Sequence, residues 1–489
     1  MSFNSFGFLL VFLPVCLIIY WSIRKKSDLS IWFLVLASLA FYGYSFPKAL
    51  IILILSLVFN YMTAIEILRA KKSRLSLFVG VSVDVLLLAF FKYIHMLPLG
   101  EYVKLEAPGI SFYTFCEIAF LVECYRKTIT TISLREYAFL MTFFPKMIEG
   151  PIVRPQDILP QKNGRTKITG EEIFRGIALF VFGLFKKVVI AETLRKAVDY
   201  GFSSLDAMHS GEALIIMLSY SLQIYFDFSG YTDMALAIAS FFGFNLPENF
   251  DSPYKSKDIC DFWKRWHISL TTFFTRYIYI PLGGNRRGKA RMYLNFFIVF
   301  MVSGLWHGAG FQFVVWGLMH GILFIITRMI LDRKLSGQKY TDAVGKNEKH
   351  EGIIDYFWSI IKGFVTFVYV SAAWVFFRAP SMKDALHLFE DMAQCWFPRF
   401  NYGLAKCFNV DELWYVLKIL HLDRFNNSIY ILMAVILLGL CCLVFFGKKA
   451  SAYARECKIN LFNTLFITIL FVWSFLSFEG VATYIYVNF

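Results

Sequence analysis

The sequence predicts an all-α polytopic membrane protein, with about 11 transmembrane helices plus short re-entrant or buried helices around a central chamber. Three observations carry that expectation. Hydrophobic residues make up 58% of the chain and charged ones only 17%, whereas soluble domains carry about 25% charge. The mean hydropathy is +0.57. Apolar runs of membrane-crossing length recur from end to end, and the cations between them sit in short loops.

That placement of cations decides what the +14 net charge means. It is the distribution of the positive-inside rule, so nucleic acid is not expected as a partner. Nine cysteines with no CxxC pair give neither a disulfide framework nor a zinc site. Only Cys395 and Cys407 share a polar segment in which an oxidised pair would be permitted. The first apolar run, Phe6 to Ile23, lacks a basic residue before it and a small-residue cleavage site after it. It is expected to stay as the first span.

A helix needs about 20 apolar residues to cross a hydrocarbon core of about 30 Å. The candidates are 6–23, 30–46, 49–68, 75–92, 109–125, 136–150, 173–192, 212–227, 231–244, 292–306, 311–330, 356–377, 428–446 and 460–478. Those around 109–150, 225–245 and 262–282 are short or broken by Gly and Pro, and are expected to be re-entrant or buried in the bundle. Arg24-Lys25-Lys26, the basic 69–74 turn and Lys448-Lys449 with Arg455 and Lys458 mark the cytoplasmic side. The N-terminus and the segment 379–427 then fall outside, the latter with surface helices near Leu386–Ala393 and Leu413–Leu420. The polar stretch 331–352 reads as a cytoplasmic loop. No internal repeat is evident, so one membrane domain is expected over 1–489, with its core at about 225–330.

Polar groups concentrate in that core. Phe262-Trp263-Lys264-Arg265-Trp266-His267 sets two cations and an imidazole among aromatics. Pro281-Leu282-Gly283-Gly284-Asn285-Arg286-Arg287-Gly288 breaks the chain at a basic tip, and His307 and His320 follow in apolar runs. Burying so many polar groups in hydrocarbon is costly without partners or a wet cavity. A reaction chamber explains them, and so does the pathway of a transporter or flippase for a polar solute.

His307 and His320 are 13 residues apart. On one straight helix that is about 20 Å of rise and nearly opposite faces, so they meet only if the chain breaks at Gly308 or Gly310. Gln312 and Trp316 share the face of His320 at i, i+4 spacing. His267 comes from another segment and is the expected partner of His320. His95, His209, His350, His387 and His421 lie in loops or at span edges and read as surface residues.

The runs PENFDSPY (Pro247 to Tyr254), FWKRWHISL (Phe262 to Leu270), YIPLGGNRRG (Tyr279 to Gly288), SGLWHG (Ser303 to Gly308) and WGLMHG (Trp316 to Gly321) resemble, in order and spacing, the membrane-bound O-acyltransferase family. The likeness is closest to the branch with the membrane subunit of bacterial alginate O-acetylation. Phe226 to Met234, Ala373 to Ala379 and Phe143 to Arg154 are also similar, with Lys146 where the family often has Gln.

The resemblance makes His320, the His of WGxxHG, the essential residue. It implies an O-acyltransferase of the inner or cytoplasmic membrane acting in cell-surface polysaccharide O-acetylation. Acetyl-coenzyme A is the expected acyl donor, with no bound cofactor and no metal. The expected partners are an extracytoplasmic SGNH-type acetyltransferase and the polysaccharide synthesis machinery, besides membrane lipids. A related branch moves D-alanine from a carrier-protein thioester.

In that chemistry a histidine near neutral pKa serves as base. Asn295, Ser303 and Trp306 are candidate oxyanion donors, with His307 beside them. Arg286 and Arg287 are either a topology signal or a clamp on coenzyme A phosphates. Lys264 and Arg265 either pair with Asp258 or Asp261 or line the donor's way in. Asp227 and Asp233, within apolar spans, are expected to be paired and structural.

Overall fold

The computed structural model describes residues 1–69, 73–96, 107–162, 167–343, 353–397, 400–421, 425 and 427–478. Among them every regular element is a helix. Seven helices are long and apolar enough to cross a bilayer: Ser27–Ser45, Pro47–Arg69, Arg74–Met96, Ser210–Phe241, Phe311–Arg333, Phe357–Arg378 and Ser428–Phe446. Phe8–Ile23 and Leu461–Leu476 are shorter apolar helices. A helix satisfies its own backbone polar groups, which hydrocarbon demands. The outward faces are themselves apolar, with Leu55, Leu86 and Leu438 exposed. The chain is a multi-pass membrane protein.

Two compact units divide the chain. The first comprises Met1–Val189, Asp227–Asn249 and Ala450–Phe489. In it the helix Ile110–Tyr125 is buried on nearly every face, and Leu134–Thr142 is only a short buried helix, as the interrupted pattern predicts. The helix Gly170–Phe185 continues through a wide π turn, Lys186–Ala191. That turn supplies the partners of the two span acids. Lys187 Nζ donates to Asp227 Oδ1 at 2.5 Å and Lys186 Nζ to Asp233 Oδ2 at 2.6 Å.

The stretches 212–227 and 231–244 are not separate spans. They form one helix, Ser210–Phe241. Gly230 does not break it but serves close packing: a Cβ there would lie 2.7 Å from the Gly183 carbonyl oxygen. Small residues at such crossings let helix backbones approach.

The second unit comprises Ile190–Phe226 and Phe250–Lys449. Its centre is an antiparallel hairpin of Lys289–His307 and Phe311–Ala343, turning at Gly308–Gly310. The two helices touch at Gly304 and Gly317, where a Cβ would lie 2.5 Å from the Phe313 carbonyl oxygen or 2.7 Å from that of Phe300. The polar stretch expected as a loop from 331 is helical to Ala343, and 344–352 lies outside the described residues. Arg328 and Asp332 pair at 3.1 Å, one turn apart, and Tyr293 Oη donates to Asp332 at 3.3 Å, which carries the helix past the apolar run. The surface helices expected in 379–427 are present as Met382–Ala393 and Asp411–Ile419. All nine cysteines are free, Cys395 and Cys407 included.

Candidate active site

The hairpin sets the depth of the site. Lys289–His307 has 19 residues, about 28 Å of helix, close to the thickness of a hydrocarbon core. Arg286 and Arg287 precede its start and are exposed, while His307 closes its far end. His320 lies nine residues into the returning helix, about 14 Å from its start, so it stands near mid-depth.

His320 is 0% exposed, and neither ring nitrogen has a hydrogen-bond partner. What surrounds it is aromatic. Trp316, one turn earlier, meets the imidazole at 4.8 Å between centroids, and Trp263 meets it at 5.1 Å, both edge-on. Phe300 stacks at 6.4 Å, Tyr369 stands perpendicular at 5.9 Å and Trp374 lies at 6.3 Å. The rings exclude water without committing either nitrogen.

The break at Gly308 allows the second histidine to approach. His307 packs on Trp316 at 4.8 Å, on Phe377 at 4.8 Å and on Trp306 at 4.4 Å. His307 and His320 therefore both pack against one indole. His267 is buried and begins the helix Ile268–Phe274 with φ of +43°, a left-handed conformation. That costs a residue with a Cβ about 1–2 kcal/mol. Its segment reaches His320 through the Trp263 ring, and Trp266 meets Trp374 at 5.0 Å. His267 thus joins the cluster through its neighbours rather than as a direct partner of His320.

The other expected residues separate by role. Gln312 Nε2 points to the carbonyls of Ala379 and Pro380, at 3.5 and 3.4 Å, and so ties the hairpin to the 379–427 segment. Asn295 Nδ2 donates to Gly284 O at 3.0 Å, which pins the Pro281–Gly288 loop. In that loop Gly283 and Gly284 have φ of +108° and +55°, values that favour glycine. Arg265 pairs with Asp261 at 2.9 Å and with Asp251 at 3.7 Å. Asp258 instead caps its helix, accepting from the Asp261 N–H. Lys264 is exposed.

Ser303 lines a cavity of about 80 Å³ with Trp263, Phe300, Thr271, Thr275, Tyr279 and Phe324, among others. The lining runs from Tyr279, at the root of the basic loop, to two of the rings on His320. A larger cavity, about 380 Å³, belongs to the first unit; Arg175, Glu248 and Arg455 line it, and no histidine does.

The sequence has relatives among known proteins. A sequence profile of the membrane-bound O-acyltransferase family matches residues 38–335. The chain belongs to that family. A peptidoglycan O-acetyltransferase of Helicobacter pylori is 37% identical over 434 residues, covering 80% of this chain and 79% of that protein. A probable alginate O-acetylase, AlgI, of Pseudomonas aeruginosa is 36% identical over 412 residues, covering 80% and 75%. A teichoic acid D-alanyltransferase of Bacillus subtilis is 31% identical over 230 residues, covering 44% and 57%. The chain is an O-acyltransferase, and relatives of it act in polysaccharide modification at membranes.

The family match spans the aromatic cluster only in part. Tyr369 and Trp374, on the helix Ile353–Arg378, lie beyond it and were not among the residues expected at the site. Their sequence signal is faint, because an aromatic in an apolar span reads as packing. Only the Ala373-Trp374 pair within the similar downstream run pointed to them.

Proposed function

We propose that the protein moves an acetyl group from acetyl-coenzyme A on the cytoplasmic side toward an extracytoplasmic hydroxyl of a cell-surface polysaccharide, with His320 as the base. The observation that carries the proposal is a fully buried imidazole with both nitrogens uncommitted, centred in aromatic rings at mid-depth. A structural histidine in so dry a place is expected to spend its nitrogens on neighbours.

In the proposed reaction an imidazole nitrogen of His320 takes the proton of the acceptor hydroxyl. The hydroxyl oxygen then attacks the thioester carbonyl carbon. The oxyanion intermediate collapses, the carbon–sulfur bond breaks, and the proton passes to the departing thiolate. The dry aromatic walls keep water from hydrolysing the activated thioester. His267 and Trp266 hold the segment that carries Trp263 against His320, a positioning role. Arg286 and Arg287 take the anionic head of the donor at the cytoplasmic rim. The acyl arm occupies the cavity between Tyr279 and Ser303. The acetylated acceptor leaves toward the 379–427 segment, where an SGNH-type partner passes the acetyl group on to the polysaccharide. The N-terminus lies outside in this orientation.

A transporter needs ionisable groups along its route. Asp227 and Asp233, the two acids that reading places along the route, are held by Lys187 and Lys186. Thiol release from acetyl-coenzyme A by the purified protein in lipid discs tests the proposal. Release that accelerates with an added hydroxyl acceptor supports it. Acceptance of a D-alanyl carrier thioester in place of acetyl-coenzyme A, or solute flux without thiol release, would overturn it.

A further inference from the structure

The first unit holds a second buried polar cluster that acyl transfer does not use. Asp84 is 1% and Glu117 0% exposed, on the apolar helices Arg74–Tyr93 and Ile110–Tyr125. A third helix, Pro47–Arg69, holds both from adjacent turns. Asn60 Nδ2 donates to Asp84 Oδ1 at 2.8 Å, and Ser56 Oγ donates to Glu117 Oε2 at 2.8 Å. Asn60 Nδ2 also lies 3.2 Å from the Ser56 carbonyl oxygen, which locks the two turns together.

Each carboxyl is satisfied on one oxygen alone. Asp84 Oδ2, Glu117 Oε1, Asn60 Oδ1, Thr114 Oγ1 and the hydroxyls of Tyr113 and Tyr137 are all buried without a hydrogen-bond partner. Both tyrosines lie within electrostatic reach of both carboxyls. Buried oxygens are normally satisfied, so several orphans around two acids mark a place for an occupant.

The charges around the cluster set the sign of that occupant. The cation acting on Glu117 is Lys146, which is 3% exposed, with Nζ at 3.4 Å from Met141 O and 3.6 Å from Cys116 Sγ. The remaining titratable neighbours are neutral when protonated. Tyr42 faces Tyr113 while its hydroxyl donates to Pro108 O at 2.8 Å, and Cys124 faces Tyr137. Two carboxylates and one ammonium leave one negative charge at membrane depth, a costly state. A single positive charge removes it. The unsatisfied donors are all oxygens, which suit a hard cation rather than a thiolate- or imidazole-seeking metal. Among the described residues no cluster of three or more His, Cys, Asp or Glu competes for such an ion.

We propose that Asp84, Glu117 and Asn60, with the hydroxyls around them, form a binding site for one monovalent cation, a proton or a sodium ion, that neutralises the helix cluster. A ligand that binds only the folded state raises stability with its concentration, and removing the site removes the dependence. The test is the melting temperature of the full-length protein in detergent, for wild type, Glu117→Gln and Asp84→Asn. Sodium is exchanged for N-methylglucamine at constant ionic strength, and pH is varied across the neutral range without sodium. A wild-type melting temperature that rises with sodium, with both variants flat, identifies sodium. One that falls as pH rises without sodium, again with flat variants, identifies the proton. Should one variant fail to fold, the other carries the comparison. If wild type and a folded variant respond alike to both, the site does not exist.

Discussion

Asp227 in one unit and His320 in the other are both polar, both buried and both within apolar helices, yet the fold treats them oppositely. Asp227 meets Lys187 at 2.5 Å, and Asp233 has Lys186. His320 has five aromatic rings and no polar partner for either nitrogen. The difference separates polar groups that hold the structure from one that is kept free to react. A group whose partner is fixed cannot exchange a proton with substrate without breaking that pair. A group surrounded by rings is positioned by shape alone, and its nitrogens stay available.

If that distinction holds, the two sides fail in different ways when mutated. The largest expected loss of stability is for Lys187→Met, which takes from Asp227 the ammonium that pairs with it at 2.5 Å, in a site where Lys187 is 4% exposed. Breaking a buried pair from one side costs about 3–5 kcal/mol. The variant should lose much of its yield and melt well below wild type. Adding Asp227→Asn should recover part of both, because the carboxylate charge is gone. A single variant that melts like wild type would show that the pair is not structural. A smaller effect, confined to turnover kinetics, is expected for Arg286→Ala with Arg287→Ala. The donor KM should rise about tenfold, less at high salt, with kcat at saturating donor preserved. An unchanged KM would reduce these arginines to a topology signal.

Much of this was legible in the sequence, and the reasons are physical. Membrane helices must be apolar over most of their length, so the spans announce themselves. His320 stood out because Gln312 and Trp316 recur at helical spacing before it and because it is the His of the WGLMHG run that resembles the family. The pairing of Asp227 was expected, but Lys187 was hidden in an apolar span of distant sequence. The helix Ser210–Phe241 was misread as two because Gly230 reads as a break in sequence, while its lack of a Cβ admits the Gly183 backbone in space. The partnership of His267 with His320 was reached by elimination, because spacing sets His307 far from His320 on a straight helix and leaves the distance of His267 free. Contact across segments depends on which face each short helix presents, and there Trp263 faces the imidazole. Gln312 shares the face of His320 as expected, yet its amide serves the carbonyls of Ala379 and Pro380, a tertiary contact that spacing cannot reveal.

The central claim is that an unpartnered imidazole at position 320 performs the proton transfer. The most direct test measures acyl transfer and melting temperature on one preparation of His320→Ala. Loss of a general base removes about 10²- to 10⁴-fold in rate. No hydrogen bond to His320 is lost in the substitution, and the aromatic walls can keep their own contacts, so the fold should survive. The account predicts a rate lower by at least about 100-fold in protein that stays monodisperse and melts cooperatively. Transfer within a few-fold of wild type, in a variant just as well folded, would contradict it.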